Sequence, residues 1–92
     1  MANLLRIDFI ISGKVQGVGY RYFVKEKAES LNIKGHVKNK KDGSVYVAAQ
    51  GESGDLENLL KFCYHGPPLA IVRNIEKSQK PLANFAGFCI DS

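Results

Sequence analysis

The N-terminal part of the sequence carries a strand pattern, a glycine-rich turn and a helix pattern within residues 5–31, LRIDFIISGKVQGVGYRYFVKEKAESL. Every second residue from Leu5 to Ile11 is apolar, a period typical of a strand with one buried face, and Ser12-Gly13-Lys14 ends that strand. The helix pattern repeats at the spacing of one helix face and is formed by Tyr20, Val24, Ala28 and Leu31. Asn32 and Gly35 can each take the left-handed conformation that ends a helix.

The same two periods recur in the middle of the chain. Gly35–Asn39 and Ser44–Gln50 are predicted strands, and Asp42-Gly43 between them is typical of a hairpin turn. A second helix follows, with Ser53 as its predicted N-cap and Gly66-Pro67-Pro68 as its stop. Its apolar face consists of Leu56, Leu59, Leu60 and Cys63.

The last part of the chain adds two strands. The first spans Ala70 to about Lys77, and the irregular spacing of Val72 and Ile75 indicates a bulge or a late start. The second is short and spans Ala86–Ile90. The order is therefore β-α-β-β-α-β plus a terminal strand, which predicts an α+β, ferredoxin-like split β-α-β sandwich. We expect two helices on one face of a mainly antiparallel sheet.

The composition is that of an ordinary globular protein. In a chain of 92 residues, 45% are apolar and 24% are charged, which argues against disorder and fits one domain over residues 1–92. The net charge of +4 favours an anionic partner, without choosing among phosphate compounds, nucleic acid and membrane surfaces. No apolar run is longer than Val45–Ala49, and no signal-peptide pattern is visible. We therefore expect a cytoplasmic protein.

The cysteines and histidines lack the spacing of metal ligands. Cys63 and Cys89 form no CxxC pair, so two reduced thiols are the simpler interpretation, although a single disulfide stays open. His36 and His65 have no partner at ligand spacing, so we predict no metal site. No coiled-coil pattern or broad apolar surface stripe is present, and we expect a monomer.

A candidate anion site lies in the turn before the first helix. Gly17 and Gly19 allow successive N–H groups to point into one hollow, and the helix start adds unpaired N–H groups and the positive end of its dipole. Arg21, in the first helical turn, carries a planar guanidinium that suits two oxygens of a phosphate. The alternative is a tight turn without a ligand and a surface arginine, and the glycines alone do not decide between the two. Tyr22 stands where a GxGxxG motif needs glycine.

Asn39 is a second candidate residue. It ends the strand before the hairpin, and its amide offers a donor and an acceptor that suit a water molecule beside a phosphate. Its spacing alone favours the alternative, a residue that caps backbone groups beside a turn. A basic cluster surrounds it, formed by Lys34, Lys38, Lys40 and Lys41. This cluster is either a solvated face or a positive rim that attracts an anionic substrate.

Together these segments resemble the acylphosphatase family. The resemblance is carried by Gly13–Arg21, by Gly35–Asn39 with the following Asp42-Gly43, and by Gly66-Pro67-Pro68. It extends from about Ile7 to Ile90. Two linked signatures in the family's element order are far more specific than a single pair of glycines.

The resemblance implies an enzyme that hydrolyses carboxyl-phosphate anhydrides to a carboxylate and inorganic phosphate, without a metal or cofactor. It implies that Arg21 binds the phosphate and that Asn39 positions the attacking water. The backbone amides that complete the phosphate cradle would be those of Gln16, Gly17, Val18, Gly19 and Tyr20. The expected partner is a small-molecule acyl phosphate, with no nucleic acid and no membrane.

Several positions depart from the family pattern. His36 stands where an aromatic residue is usual, Lys38 replaces a frequent arginine, and Tyr20 replaces the commoner phenylalanine. The chain ends in Ile90-Asp91-Ser92 without the usual tyrosine, which bears on the packing of the last strand. His36 is either a partly exposed strand residue or a group that tunes activity near its ordinary pKa of about 6.5, and the first is the simpler interpretation.

Two other functions are compatible with the same fold. A nucleic-acid-binding module needs exposed aromatic residues on its third strand, where this chain offers mainly Tyr46. A phosphate-binding domain without catalysis would keep Arg21, but the presence of Asn39 argues against it.

Overall fold

The computed structural model describes residues 3–91. Its elements follow the predicted order and are β1 (Leu4–Lys14), α1 (Tyr20–Ser30), β2 (Lys34–Asn39), β3 (Val45–Glu52), α2 (Ser53–His65), β4 (Ile71–Lys80) and β5 (Phe88–Asp91). The strands form a five-stranded sheet in the order β4-β1-β3-β2-β5. Neighbouring strands are antiparallel except β2 and β5, which run parallel. The predicted ferredoxin-like α+β fold with a mainly antiparallel sheet is confirmed.

Both helices pack on the same face of the sheet. Strand alternation places Phe9 and Ile11 of β1 on that face, where they join Val24 of α1 and Leu59 of α2 in one buried cluster. Cys63 on α2 is also buried, and burial raises the pKa of its thiol to about 12, so the thiol stays protonated at neutral pH. Both cysteines are free in the structure, and Cys89, unlike Cys63, is exposed.

The pairing of β1 with β4 contains a bulge at the end of β1. One extra residue on β4, Arg73, lies between the residues that pair with Ser12 and Gly13. The irregular apolar spacing indicates a bulge or a late start, and the structure has the bulge together with a start at Ile71, one residue later than predicted. Beyond the bulge β1 continues to Lys14. A side chain cannot replace the glycine here, because Gly13 has a φ of +131° and a Cβ atom would collide with the carbonyl oxygen of Ile71.

The predicted end of α1 agrees with the structure, but the predicted start of α2 does not. Asn32, with a φ of 57°, takes the left-handed conformation expected after α1. The prediction of Ser53 as the N-cap of α2 is wrong, because Glu52 is the N-cap and Ser53 is the first helical residue. The reason is that β3 continues to Glu52, which pairs with Leu4, so the chain enters the helix directly from the strand.

The final strand begins at Phe88, two positions later than the predicted start at Ala86. The preceding segment is held on the sheet by the side-chain amide of Gln50, which accepts a hydrogen bond from the backbone N–H of Ala83 at 2.9 Å and donates one to its carbonyl oxygen at 3.0 Å. β5 then pairs with β2. No helix between residues 3 and 91 is long and apolar enough to cross a membrane.

Candidate active site

The turn between β1 and α1 leads directly into the start of a helix, where backbone N–H groups have no partner within the helix. Gly17 and Gly19 have φ values of 75° and 77°, a left-handed conformation that favours glycine. Gly19 is the N-cap of α1 and provides no side chain to cap the helix. The side chain of Val15, at the start of the turn, is buried in the hydrophobic core. Because helix N-terminal amides lack partners within the helix and lie at the positive end of its dipole, this turn is suited to an anion.

Tyr20 fixes the first turn of α1 against the end of α2. Its ring is buried, and its hydroxyl donates a hydrogen bond to the carbonyl oxygen of Cys63 at 2.6 Å. Burial, the largest cause, raises the pKa of the Tyr20 hydroxyl well above its ordinary value. The tyrosine that departs from the family's usual phenylalanine therefore satisfies a carbonyl of the last helical turn, which has no partner within α2.

Arg21 extends from the first turn of α1 toward the end of β5. Its Nη1 donates a hydrogen bond to the backbone carbonyl of Asp91 at 3.3 Å. Within residues 3–91, the guanidinium makes no other hydrogen bond and no ion pair. An arginine has five N–H donors, so this contact orients the group and leaves most of its donors for a ligand.

Asn39 has a buried acceptor at the end of β2. It pairs with Val45 across the hairpin. Its side-chain oxygen Oδ1 is buried and has no hydrogen-bond partner among the residues that the structure describes. A buried acceptor without a partner is costly, and functional sites are one of the places where such groups occur. The alternative of a residue that caps backbone groups is not supported for Oδ1, since it accepts no backbone N–H.

The side chain of Gln16 joins the turn to the hairpin between β2 and β3. Its Nε2 donates to the carbonyl oxygen of Lys40 at 2.8 Å and to that of Ser44 at 2.9 Å. Within the hairpin turn, Asp42 Oδ1 accepts hydrogen bonds from Ser44 N at 3.0 Å and from Ser44 Oγ at 2.6 Å. These bonds lower the pKa of Asp42. No sequence pattern predicts the Gln16 contacts, because both acceptors are main-chain groups.

The turn and the helix start converge on the end of β2 from two sides. The guanidinium of Arg21 binds the carbonyl of the β5 residue that pairs with Lys38. The amide of Gln16 binds the carbonyl of Lys40. Since Lys38 and Lys40 are the sequence neighbours of Asn39, the structure brings the candidate residues of the two signatures to one corner of the sheet. The site region thus combines the N-terminal amides of a helix, one arginine and one buried amide oxygen.

His36 occupies the position where the family usually has an aromatic residue, and it packs as one. Its ring centroid lies 5.7 Å from that of Tyr46 and 6.0 Å from that of Phe85. Its Nδ1 lies 3.2 Å from Asp91 Oδ2, within ion-pair distance but without hydrogen-bond geometry. The simpler interpretation, a partly exposed strand residue, agrees with its position. Tyr46 is only partly exposed, and its hydroxyl binds the carboxylate of Asp8.

The four lysines of the predicted basic cluster face solvent. Lys34, Lys38 and Lys41 are exposed, and Lys40 is partly exposed. None of the four forms an ion pair within the described residues. Lys38, Lys40 and Lys41 flank Asn39 at the end of β2 and add positive potential there. The prediction that Lys34 belongs to this cluster is wrong, because Lys34 begins β2 and pairs with Gln50 at the opposite end of the strand. In residues 3–91, no three His, Cys, Asp or Glu side chains lie together in a way that could hold a metal ion.

The fold and the site region together define a small ferredoxin-like α+β protein with a candidate anion-binding corner. A family model described as Acylphosphatase matches residues 7–90. An acylphosphatase of Archaeoglobus fulgidus is 44% identical over 85 residues, which cover 92% of this chain and 96% of that protein. An acylphosphatase of Acaryochloris marina is 41% identical over 88 residues, which cover 96% of this chain and 95% of that protein.

The fold also matches that of a solved relative. The structure of an acylphosphatase from Coxiella burnetii matches with a TM-score of 0.93 and 36% identity, over 97% of this chain and 94% of that one. This chain therefore belongs to the acylphosphatase family and is an enzyme of that family. The resemblance inferred from the sequence is confirmed.

The conformation of the turn predicts opposite effects of alanine at two exposed glycines. Gly19→Ala places a side chain on a residue with a φ of 77°, so we expect the free energy of unfolding to fall by about 1–2 kcal/mol. Gly54→Ala is the control, because Gly54 lies within α2 with open space around it, and alanine there should stabilise by about 0.5–1 kcal/mol. Urea unfolding measures both, and a Gly19→Ala protein as stable as the parent contradicts the strained turn.

Proposed function

We propose that this protein hydrolyses acyl phosphates to a carboxylate and inorganic phosphate at the corner formed by Gln16–Arg21 and Asn39. The observation that carries the proposal is the buried Oδ1 of Asn39, without a partner in the described chain, beside a helix N-terminus that carries Arg21. Membership of the acylphosphatase family supports the substrate class. The residue roles, the monomeric state, the single domain and the cytoplasmic location stay predictions.

The phosphoryl group is bound by fixed donors. In this proposal, backbone amides from Gln16 to Tyr20 point toward its oxygens, and the left-handed glycines permit that arrangement. Arg21 adds a planar charged group that can bind two oxygens at once. In phosphoryl transfer, charge is spread over the equatorial oxygens of the transition state. Donors that are already in position stabilise this charge without reorganising during the reaction.

The second part of the proposal is an oriented water molecule. The buried Oδ1 of Asn39 accepts one of its hydrogen bonds and directs its oxygen toward phosphorus. The new bond joins the water oxygen to phosphorus, and the bond from phosphorus to the acyl oxygen breaks. The bonding electrons leave with the carboxylate, and the water proton passes to a phosphoryl oxygen. A neutral amide is a poor base, so Asn39 orients the water and does not deprotonate it.

The chemistry of the leaving group explains why so few residues suffice. A carboxylate has a conjugate acid with a pKa of about 4, so it departs at neutral pH without a proton donor. Catalysis then needs anion binding, charge stabilisation and a placed water molecule. In this proposal, the exposed lysines around Asn39 form a positive rim that raises the local concentration of the anionic substrate.

Removal of the guanidinium tests the anion-binding half of the proposal. We expect Arg21→Ala to lower kcat/KM for benzoyl phosphate about 10²–10³-fold and to weaken inhibition by inorganic phosphate, because charge-assisted contacts to the phosphoryl group are lost. Arg73→Ala is the matched control, since Arg73 is exposed on β4 at the bulge and should leave both constants unchanged. Near-normal hydrolysis by Arg21→Ala would contradict the assignment.

Removal of the Asn39 amide tests the water-positioning half. We expect Asn39→Ala to lower kcat about 10²-fold while the inhibition constant of inorganic phosphate changes less than about threefold, because the lost contact is to water and not to phosphate. Asn58→Ala, at an exposed position of α2, is the control and should retain full activity. The same assays apply, and a large loss of phosphate affinity with unchanged kcat would assign Asn39 to binding instead.

A further inference from the structure

The side chain of Gln16 binds the hairpin between β2 and β3, which is distant from it in the sequence. Its amide donates both of its hydrogens, one to Lys40 O and one to Ser44 O, which are 24 and 28 residues further along the chain. The distances of 2.8 and 2.9 Å are those of well-formed hydrogen bonds. An amide NH₂ group has two hydrogens, so its donor capacity is fully used. Both amide hydrogens of Gln16 are therefore bonded to the hairpin, and neither is left for solvent.

The two acceptors are the carbonyls that close the hairpin. Ser44 O also accepts the N–H of Lys40 at 2.8 Å, and Lys40 O also accepts the N–H of Gly43 at 3.2 Å. Each carbonyl oxygen has two lone pairs, so Gln16 completes both. The hairpin cannot move away from the turn without breaking two hydrogen bonds at once and leaving two part-buried acceptors with one donor each.

No strand pairing connects the turn before α1 to this hairpin. β1 and β2 are not neighbours, because β3 lies between them in the sheet. The ladder between β1 and β3 ends at Ile11 and Val45, just where the hairpin begins. Within the described chain, no hydrogen bond other than those of Gln16 joins residues 13–19 to residues 40–44. The hydrogen bonds between the turn and the hairpin are thus made by this one side chain.

We propose that Gln16 is a positioning residue that sets the distance between the phosphate cradle and the amide of Asn39. This rests on the proposed function, in which the cradle holds phosphorus and Asn39 holds the attacking water. Asn39 directly precedes Lys40, whose carbonyl is one of the two acceptors. A displacement of about 1 Å between reacting groups can cost 10²-fold in rate, so the tie acts on kcat.

The test removes the two donors and keeps the volume of the side chain. Gln16→Met should lower kcat for benzoyl phosphate about 10–100-fold, while the inhibition constant of inorganic phosphate changes less than about threefold. Gln79→Met is the matched control, because Gln79 is exposed on β4 away from the hairpin and should leave kcat unchanged. Weaker phosphate inhibition with unchanged kcat would overturn the proposal and assign Gln16 to binding alone.

A double-variant cycle separates this inference from the function on which it rests. If Gln16 acts through Asn39, adding Gln16→Met to the Asn39→Ala protein should lower kcat by less than about twofold more. An equal loss in both backgrounds overturns the positioning role. An Asn39→Ala protein with parental kcat instead overturns the proposed function, whatever Gln16→Met does.

A charge variant gives a readout that loss of folding would not mimic. Gln16→Glu sets a carboxylate against two carbonyl oxygens, which disfavours the charged form and raises its pKa above the usual value of about 4.3. The protonated acid can donate one hydrogen bond, so kcat relative to the parent should recover as pH falls through this raised pKa. The relative kcat of Gln16→Met should stay flat over the same range. Identical pH profiles for the two variants would overturn the proposal.

Discussion

The candidate site depends on how β1 ends. β1 leaves β3 after Ile11 but stays paired to β4 as far as Lys14, and the close approach of Gly13 to the β4 backbone makes this possible. The chain must then turn into α1 within a few residues, which two left-handed glycines allow. A sharp turn of this kind leaves amides unpaired at a helix start. The candidate anion site is thus a consequence of strand geometry.

The parts of the candidate site come from different elements, and a few side-chain hydrogen bonds connect them. Tyr20 anchors the helix start to α2 through the Cys63 carbonyl, and Arg21 is oriented by a carbonyl of β5. Gln16 fixes the hairpin to the turn. Each contact joins a side chain to a main-chain carbonyl, so the acceptor position is set by the fold. This is how a chain of 92 residues can hold a precise site at the edge of a thin core.

The fold could be predicted from sequence because its elements have strong, separate periods. Apolar alternation and helix spacing identified the strands and both helices, and the spacing of Val72 and Ile75 indicated a bulge or a late start on β4. The N-cap of α2 was wrongly predicted at Ser53, because β3 passes directly into α2 at Glu52 and no turn residues mark the boundary. For the site, the glycine turn and Arg21 were visible as a motif, whereas Asn39 became a candidate mainly through the family resemblance. The Gln16 contacts could not be predicted, because main-chain acceptors leave no residue pattern.

In the proposed function, the corner holds a phosphoryl group and directs water at phosphorus. Hydrolysis of benzoyl phosphate in water enriched in oxygen-18 tests this directly, because the labelled oxygen marks the atom that was attacked. The proposed geometry predicts that the enzymatic product phosphate carries the label and that benzoate carries none. Label in the benzoate carboxyl group would mean attack at the acyl carbon, and it would contradict the roles proposed for the turn, for Arg21 and for Asn39.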